Sequence, residues 1–229
     1  MAKFGKKYRG ILKALPKQAV TVEEAVKFIK AHPAAKFDET LDVSFRMGVD
    51  LVKSDSPVRG TVKLPAGSGK KVKVLVFAGG DHADQAKAAG ADFVGMDDLI
   101  EKVMGGWTDF DVAIATVEAM KSVRKCARVL GPRGLMPNPK TGTVTDDPAT
   151  AVKDAKAGKV DFRMDKTGNC CVIAGKVSFE ADKLVANVKA VIEAVQAAKP
   201  ATVKGAFIRS LTLSSTMGVG VPCILEQAE

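Results

Sequence analysis

The spacing of apolar residues changes twice along this chain, and that pattern narrows the folds open to it. Leu41, Val43, Phe45, Met47 and Val49 alternate with mostly polar neighbours, the period-2 spacing of a strand with one buried face. A second strand of this kind is predicted at 58–64. Short apolar runs then take over. Strands at 72–77, 91–94 and 110–115 alternate with helices at 81–89, 97–104 and 117–130, the order that a parallel sheet covered by helices requires. A helix over 149–157 closes at Gly158, and from Lys159 period 2 returns with Val160, Phe162 and Met164. A turn at Lys166-Thr167-Gly168-Asn169 leads into a strand over 170–177, which reads as the second arm of a hairpin. Leu184, Val188, Val191, Ile192 and Val195 mark one face of a helix over 181–198, and a last strand covers 206–213.

Thr21-Val22-Glu23-Glu24 is a capping box, so a helix should start there and stop near His32-Pro33. Both chain ends thus read as α+β and the middle as three-layer α/β. The simplest assembly is an α+β first domain built from both ends, 1–67 and 159–229, with a Rossmann-like second domain, 68–158, inserted between two glycine-containing connections. One continuous domain is the alternative.

Charge points to the class of partner. The chain carries 35 Lys+Arg against 26 Asp+Glu, a formal +9, which suits a polyanion. The first 67 residues hold 13 Lys+Arg and 7 Asp+Glu, so most of the excess sits there. Lys3, Lys6, Lys7, Arg9 and Lys13 all precede the first acid, Glu23, and together they can neutralise several phosphates. No apolar run approaches a bilayer span, and the opening residues lack a secretory core, so no membrane role and a cytoplasmic location are expected. Cys126, Cys170, Cys171 and Cys223 form no CxxC pair and read as small core residues; no metal site and no cofactor are expected.

Catalytic patterns fail one by one. Gly67-Ser68-Gly69-Lys70 would need glycine at Leu64 and a hydroxyl at Lys71 to make a phosphate loop. Ala78-Gly79-Gly80-Asp81 lacks the GxGxxG spacing and reads as a tight strand-to-helix turn. The pairs Glu23-Glu24, Asp38-Glu39, Asp97-Asp98 and Asp146-Asp147 sit at helix starts or in loops. No enzymatic turnover is expected. An α/β nucleotide-binding enzyme is the competing class, and a basic chaperone that tolerates any nucleic acid is a third.

The stretch Leu130-Gly131-Pro132-Arg133-Gly134-Leu135-Met136-Pro137-Asn138-Pro139-Lys140 is a shaped, positively charged loop. From Ile114 through this loop, and at the opening GKKYR, at AKFDET (35–40), at 58–62, at 162–168 and at Ser215-Thr216-Met217-Gly218, the chain closely resembles the ribosomal protein L-one family. That resemblance covers essentially the whole chain and implies the two-domain build with an inserted second domain. It also implies a ribosomal RNA site centred on Phe37, Thr216, Met217 and Gly218, within the motifs that hold Lys36 and Ser215. Around it Lys36, Arg163 and Lys166 are expected to contact phosphates, with Lys3, Lys6, Lys7 and Arg9 adding to them. Arg133 and Lys140 are candidates for a contact from the second domain with stalk RNA or transfer RNA. The resemblance further implies a monomer that joins the mobile stalk of the large ribosomal subunit, helps deacylated transfer RNA leave the exit site, and represses translation of its own messenger RNA.

Overall fold

The computed structural model describes residues 5–16, 18–49, 58–200, 203 and 205–225, with only the backbone at Lys140. In chain order come α1 (Lys6–Ala14), α2 (Val22–Ala31), β1 (Thr40–Met47), β2 (Arg59–Lys63), β3 (Val74–Phe77), α3 (Asp81–Ala88), β4 (Phe93–Gly95), α4 (Asp97–Met104) and β5 (Val112–Ala115). Then follow α5 (Met120–Val123), a 3-10 turn (Arg124–Cys126), α6 (Ala127–Leu130), a second 3-10 turn (Pro139–Thr141), α7 (Pro148–Lys156), β6 (Lys159–Arg163), β7 (Asn169–Lys176), α8 (Ala181–Ala197), β8 (Ile208–Ser215) and β9 (Val221–Cys223). The chain is a mixed α/β protein. Contacts divide it into two compact units, Met1–Gly69 with Val160–Glu229, and Lys70–Lys159.

In the unit made from the chain ends, four strands form a sheet in the order β7-β1-β8-β9, with antiparallel neighbours throughout. Alternation decides which face is dry. Leu41, Val43, Phe45 and Met47 of β1, Cys170 and Val172 of β7, and Leu211 and Leu213 of β8 turn inward, where Val26 and Ile29 of α2 and Leu184, Val188, Val191 and Val195 of α8 meet them. Burial of this kind stabilises by about 1.5–3 kcal/mol for each large side chain. The opposite face of the sheet, turned away from α2 and α8, carries Asp42, Ser44, Arg46, Thr212 and Ser214. The capping box forms as predicted: Thr21 Oγ1 accepts from Glu24 N, and the Glu24 carboxylate accepts from Thr21 N.

Three sequence expectations fail in this unit. The hairpin at 160–177 does not form: β6 pairs with β2, β7 pairs with β1, and a single bridge between Met164 and Cys170 links the two. The cause is Asp165, whose Oδ1 accepts from the backbone N–H of Thr167 and of Asn169, both at 2.8 Å, and so turns the chain from one sheet into the other. Met164 N then donates to Val58 O, while Met47 N donates to Gly168 O. The strand expected at 206–213 runs over Ile208–Ser215, and it is not the last, because β9 follows on its far side. Cys170 and Cys223 are buried and their thiols are pushed up to about 11 by that burial, whereas Cys171, expected in the core, is exposed on the open face.

In the other unit β4, β3 and β5 lie parallel in that order. Val74 and Val76 face one way, toward Ala86 of α3 and Val152 and Ala155 of α7; Leu75 and Phe77 face the other, toward Leu99, Ile100 and Val103 of α4 and Val123, Cys126 and Leu130. Three layers result. The expected turn from strand to helix at Gly79-Gly80 is present, with Gly80 at φ 56°. The helix predicted over 117–130 is instead α5, a 3-10 turn and α6. Lys121, Arg124, Lys125 and Arg128 stand at i, i+3, i+4 and i+7 with no acid among them, a spacing at which like charges weaken a regular helix. Among the described residues no helix is long and apolar enough to cross a membrane, and no His, Cys, Asp and Glu cluster is placed to hold a metal.

Candidate nucleic-acid interface

The residues singled out at AKFDET and STMG meet at one end of the four-stranded sheet although about 180 positions separate them. Antiparallel pairing of β1 with β8 sets Leu41 opposite Ser215, so the chain entering β1 and the chain leaving β8 emerge side by side. Thr216 Oγ1 accepts from Thr40 N at 3.0 Å, and Thr216 N donates to Thr40 O at 3.1 Å. Residues 215–218 close a turn in which Gly218 N donates to Ser215 O. A Cβ at Gly218 would stand 2.3 Å from the Oγ of buried Ser215, so any side chain there would force that hydroxyl to turn away.

Two carboxylates fix the facing loop. Glu39 is 4% exposed; its carboxylate accepts from Ala35 N at 2.6 Å and, at 3.5 Å, from Met217 N, so one side chain ties the 35–38 loop to the turn. Asp38 accepts from Ser178 N at 3.1 Å and from Ser178 Oγ at 2.9 Å. Lys176 adds donations to Asp38 O and Thr40 Oγ1, both at 3.2 Å. Its reach depends on a bulge in β7: the register slips between Leu41 and Asp42, which face Gly175 and Ile173, so Ala174 is the extra residue. Strict alternation of the same residues, with no bulge, would instead put Lys176 on the inward face of Cys170 and Val172.

Between these anchors stand two large apolar side chains in the open, Phe37 at 58% and Met217 at 59% exposure. Core packing is the ordinary fate of such residues, and here the fixed backbone denies it to them. Lys36 and Thr216 beside them are exposed, Gly218 is partly so, and Ser215 lies beneath with Glu39. Rigid apolar surface, a hydroxyl, a close-approach glycine and a lysine are what a splayed base or a sugar with its 2′-hydroxyl can dock against.

The remaining candidates lie elsewhere. Arg163 and Lys166 are exposed, but they belong to the end of the sheet where Arg46 faces Asn169, about 20 Å along β1 from Thr40 at 3.3 Å per residue. They do not surround Phe37. Arg46, exposed between Asn169 and Ser210, is the cation the sequence reading passed over, because an Arg in a polar slot of an alternating strand looks like any solvated residue. Lys6, Lys7 and Arg9 are exposed on α1, which buries none of its residues. Lys3 lies outside the described residues, as does the side chain of Lys140. Arg133, in the other unit, donates to Thr108 Oγ1. Burial raises the carboxyl of Asp42, on the open face, above its ordinary value.

The description of the Ribosomal protein L1p/L10e family matches residues 29–219, a span that holds Phe37, Glu39 and the whole 215–218 turn. The chain belongs to this family. It is 53% identical over 222 residues to the protein named "Large ribosomal subunit protein uL1" of Streptococcus sanguinis (strain SK36), covering 96% of this chain and 97% of that one. It is 50% identical over 230 residues to the protein of the same name from Protochlamydia amoebophila (strain UWE25), covering 100% and 98%. Within this member of the ribosomal protein L-one family, α1 falls outside the family match while the apolar pair falls inside it.

The Asp165 turn gives a pH prediction. Hydrogen bonds from the Asn169 backbone, the Thr167 side chain and the Thr167 backbone hold its carboxyl below 3.8. A depressed carboxyl contributes stability above its unfolded value and loses it as pH falls through the folded one. The turn should therefore stay closed at pH 5 and open below the ordinary aspartate range. Carboxyl resonances followed by NMR should place the Asp165 midpoint below 3.8; a midpoint at or above that value would contradict the hydrogen-bonded turn.

Proposed function

We propose that this protein is a structural constituent of the large ribosomal subunit in the cytoplasm, and that it binds ribosomal RNA of the mobile stalk through the Phe37 and Met217 end of its four-stranded sheet. The carrying observation is that these two side chains are exposed while buried Glu39, Asp38 and Lys176 fix the backbone on either side of them. The domain assignment is part of the proposal: 1–67 with 159–229 is the RNA-binding domain, 68–158 the Rossmann-like insert. Binding is by a monomer. Assistance to deacylated transfer RNA leaving the exit site, and repression of its own messenger RNA through an RNA structure like that of the stalk, complete the reading and rest on the resemblance of the motifs. Catalytic turnover forms no part of it.

A footprint on large-subunit ribosomal RNA tests partner and site together. Protection confined to one stalk region, and weakened by Phe37→Ala, is the expected result. Protection spread over unrelated hairpins, or saturable binding of a mononucleotide in its place, would overturn it.

The interface divides into contacts that specify and contacts that attract. Thr216→Ala or Met217→Ala is expected to weaken stalk RNA binding by about 5- to 150-fold, in the range of about 1–3 kcal/mol for one base-level contact, at nearly constant salt dependence. Lys6→Gln should cost less and lower the slope of log K against log salt by roughly 0.7–0.9. Titrations at several salt concentrations separate the two; equal losses with equal slopes would contradict the division.

A further inference from the structure

We propose that the Lys70–Lys159 unit carries a second RNA-binding surface of its own, a stripe of Lys121, Arg124, Lys125 and Arg128 that takes the phosphate backbone of paired RNA without regard to sequence. All four side chains are exposed, while Val123 and Cys126 between them, and Ala119 and Leu130 on either side, are buried. Backbone angles stay right-handed helical through Arg124, Cys126 and Ala127, so the spacing of i, i+3, i+4 and i+7 holds the four cations on one side.

The surroundings make this more than a solvated helix face. From Ala119 to Thr145 the chain has six Lys+Arg and no Asp or Glu. The rest of the same unit, 70–118 with 146–159, has eight Lys+Arg against twelve Asp+Glu, a net of −4. Four of these acids pair with other lysines: Asp111 with Lys70, Asp109 with Lys73, Asp84 with Lys87 and Asp92 with Lys156. None of the four stripe cations makes an ion pair with a described residue. The unit has therefore gathered positive charge that pairs with no described residue onto one stretch that holds no acid of its own.

A polyanion is what such a surface fits, and its composition favours RNA over an acidic protein or a membrane. Exposed large hydrophobic residues are absent from 119–131, whereas a protein interface would need apolar or aromatic anchors and an interfacial helix would need an apolar edge. Two of the four are arginines, whose planar fork matches phosphate oxygens. With no hydrogen-bonding amide or aromatic ring interleaved, the stripe can read charge and shape but not bases. This inference shares the RNA partner class of the proposed function but concerns a different unit and different RNA.

The test uses the full chain with Lys121, Arg124, Lys125 and Arg128 all changed to Gln, and as a control the full chain with Lys27, Lys102, Lys153 and Lys189 changed to Gln. The probe is a fully paired RNA duplex unrelated to the stalk, titrated from low to moderate salt. The stripe variant should lower the slope of log K against log salt by about 3 to 4, one counterion released for each lost phosphate contact, while the control moves it by less than half as much. Equal changes in the two variants would reduce the effect to net charge and overturn the proposal, as would an unchanged slope. Because like charges are removed, the stripe variant should melt at or above the temperature of the unmodified chain; earlier melting would mark the four residues as structural and likewise overturn it. Anionic vesicles lost by the stripe variant with the duplex slope unchanged would assign the surface to membranes instead, against the proposal. The stalk footprint should persist in the stripe variant, so failure of the first site and failure of this one give different results.

Discussion

Changing Asn187 to Leu is expected to lower the stability of the unit built from the chain ends by about 2–4 kcal/mol, the cost of stranding polar groups that one amide now satisfies. Asn187 is fully buried on α8, in the middle of the stripe that otherwise reads Leu184, Val188, Val191 and Val195. Its Nδ2 donates to Ala174 O at 2.7 Å and to Gly67 O at 3.1 Å, and its Oδ1 accepts from Ala66 N at 2.9 Å. The side chain thus spends its two donors and its acceptor on the β7 bulge and on the turn after β2. Leu fills similar space and adds apolar area, so a size argument alone predicts no loss. The polar argument predicts a drop of roughly 10 °C in the melting transition of that unit. Asn187→Asp should be at least as damaging, since a carboxylate would face two carbonyl oxygens. Calorimetry of both variants decides it: a Leu variant as stable as the unmodified chain would show that the amide is merely a filler.

Asn187 also marks where sequence reading stops. Its neighbours on α8 were legible because helical spacing of apolar residues survives without knowledge of the partner. An asparagine within that stripe is silent until its acceptors are known, and they lie 13 and 120 residues away. The same limit explains the other misses. Alternation found β1 and β7, but pairing is settled between strands, so the turn at Asp165 looked like a hairpin when its arms belong to different sheets. β9 is three residues long with Pro222 at its centre, too short for a period to show. α1 buries nothing, so its sequence displays charge and not a core face. Phe37 and Met217 illustrate the limit most directly: their type argues for the core, and only the hydrogen bonds of Asp38, Glu39 and Thr216 to partners far along the chain keep them outside. The motif resemblance pointed to them; the reason they are exposed lies in tertiary structure.

Glu39 is the residue through which that exposure can be tested, and two effects of opposite sign meet there. Changing it to Ala removes a negative charge from a surface proposed to meet RNA, and Coulomb attraction alone predicts tighter binding. At the separations of a solvated interface such a gain is about 1 kcal/mol or less and fades with salt. The same change leaves Ala35 N and Met217 N without their acceptor and frees the loop and the turn from each other. Stranded donors cost about 1–3 kcal/mol each where water cannot reach them, and a loop that must be ordered on binding subtracts further from affinity. Loss of positioning should therefore win, and Glu39→Ala is expected to weaken stalk RNA binding about 10- to 100-fold, or about 1.4–2.7 kcal/mol. The salt slope should stay within a few tenths of its original value, because no phosphate contact is removed. Glu39→Gln retains one carbonyl oxygen and should fall between the two. Double-mutant cycles with Met217→Ala add the sharpest check: if Glu39 acts by placing Met217, the second substitution should cost much less once the first is made. Tighter binding by Glu39→Ala, or full additivity with Met217→Ala, would mean that the carboxylate is an electrostatic bystander and that the apolar pair owes its position to something else.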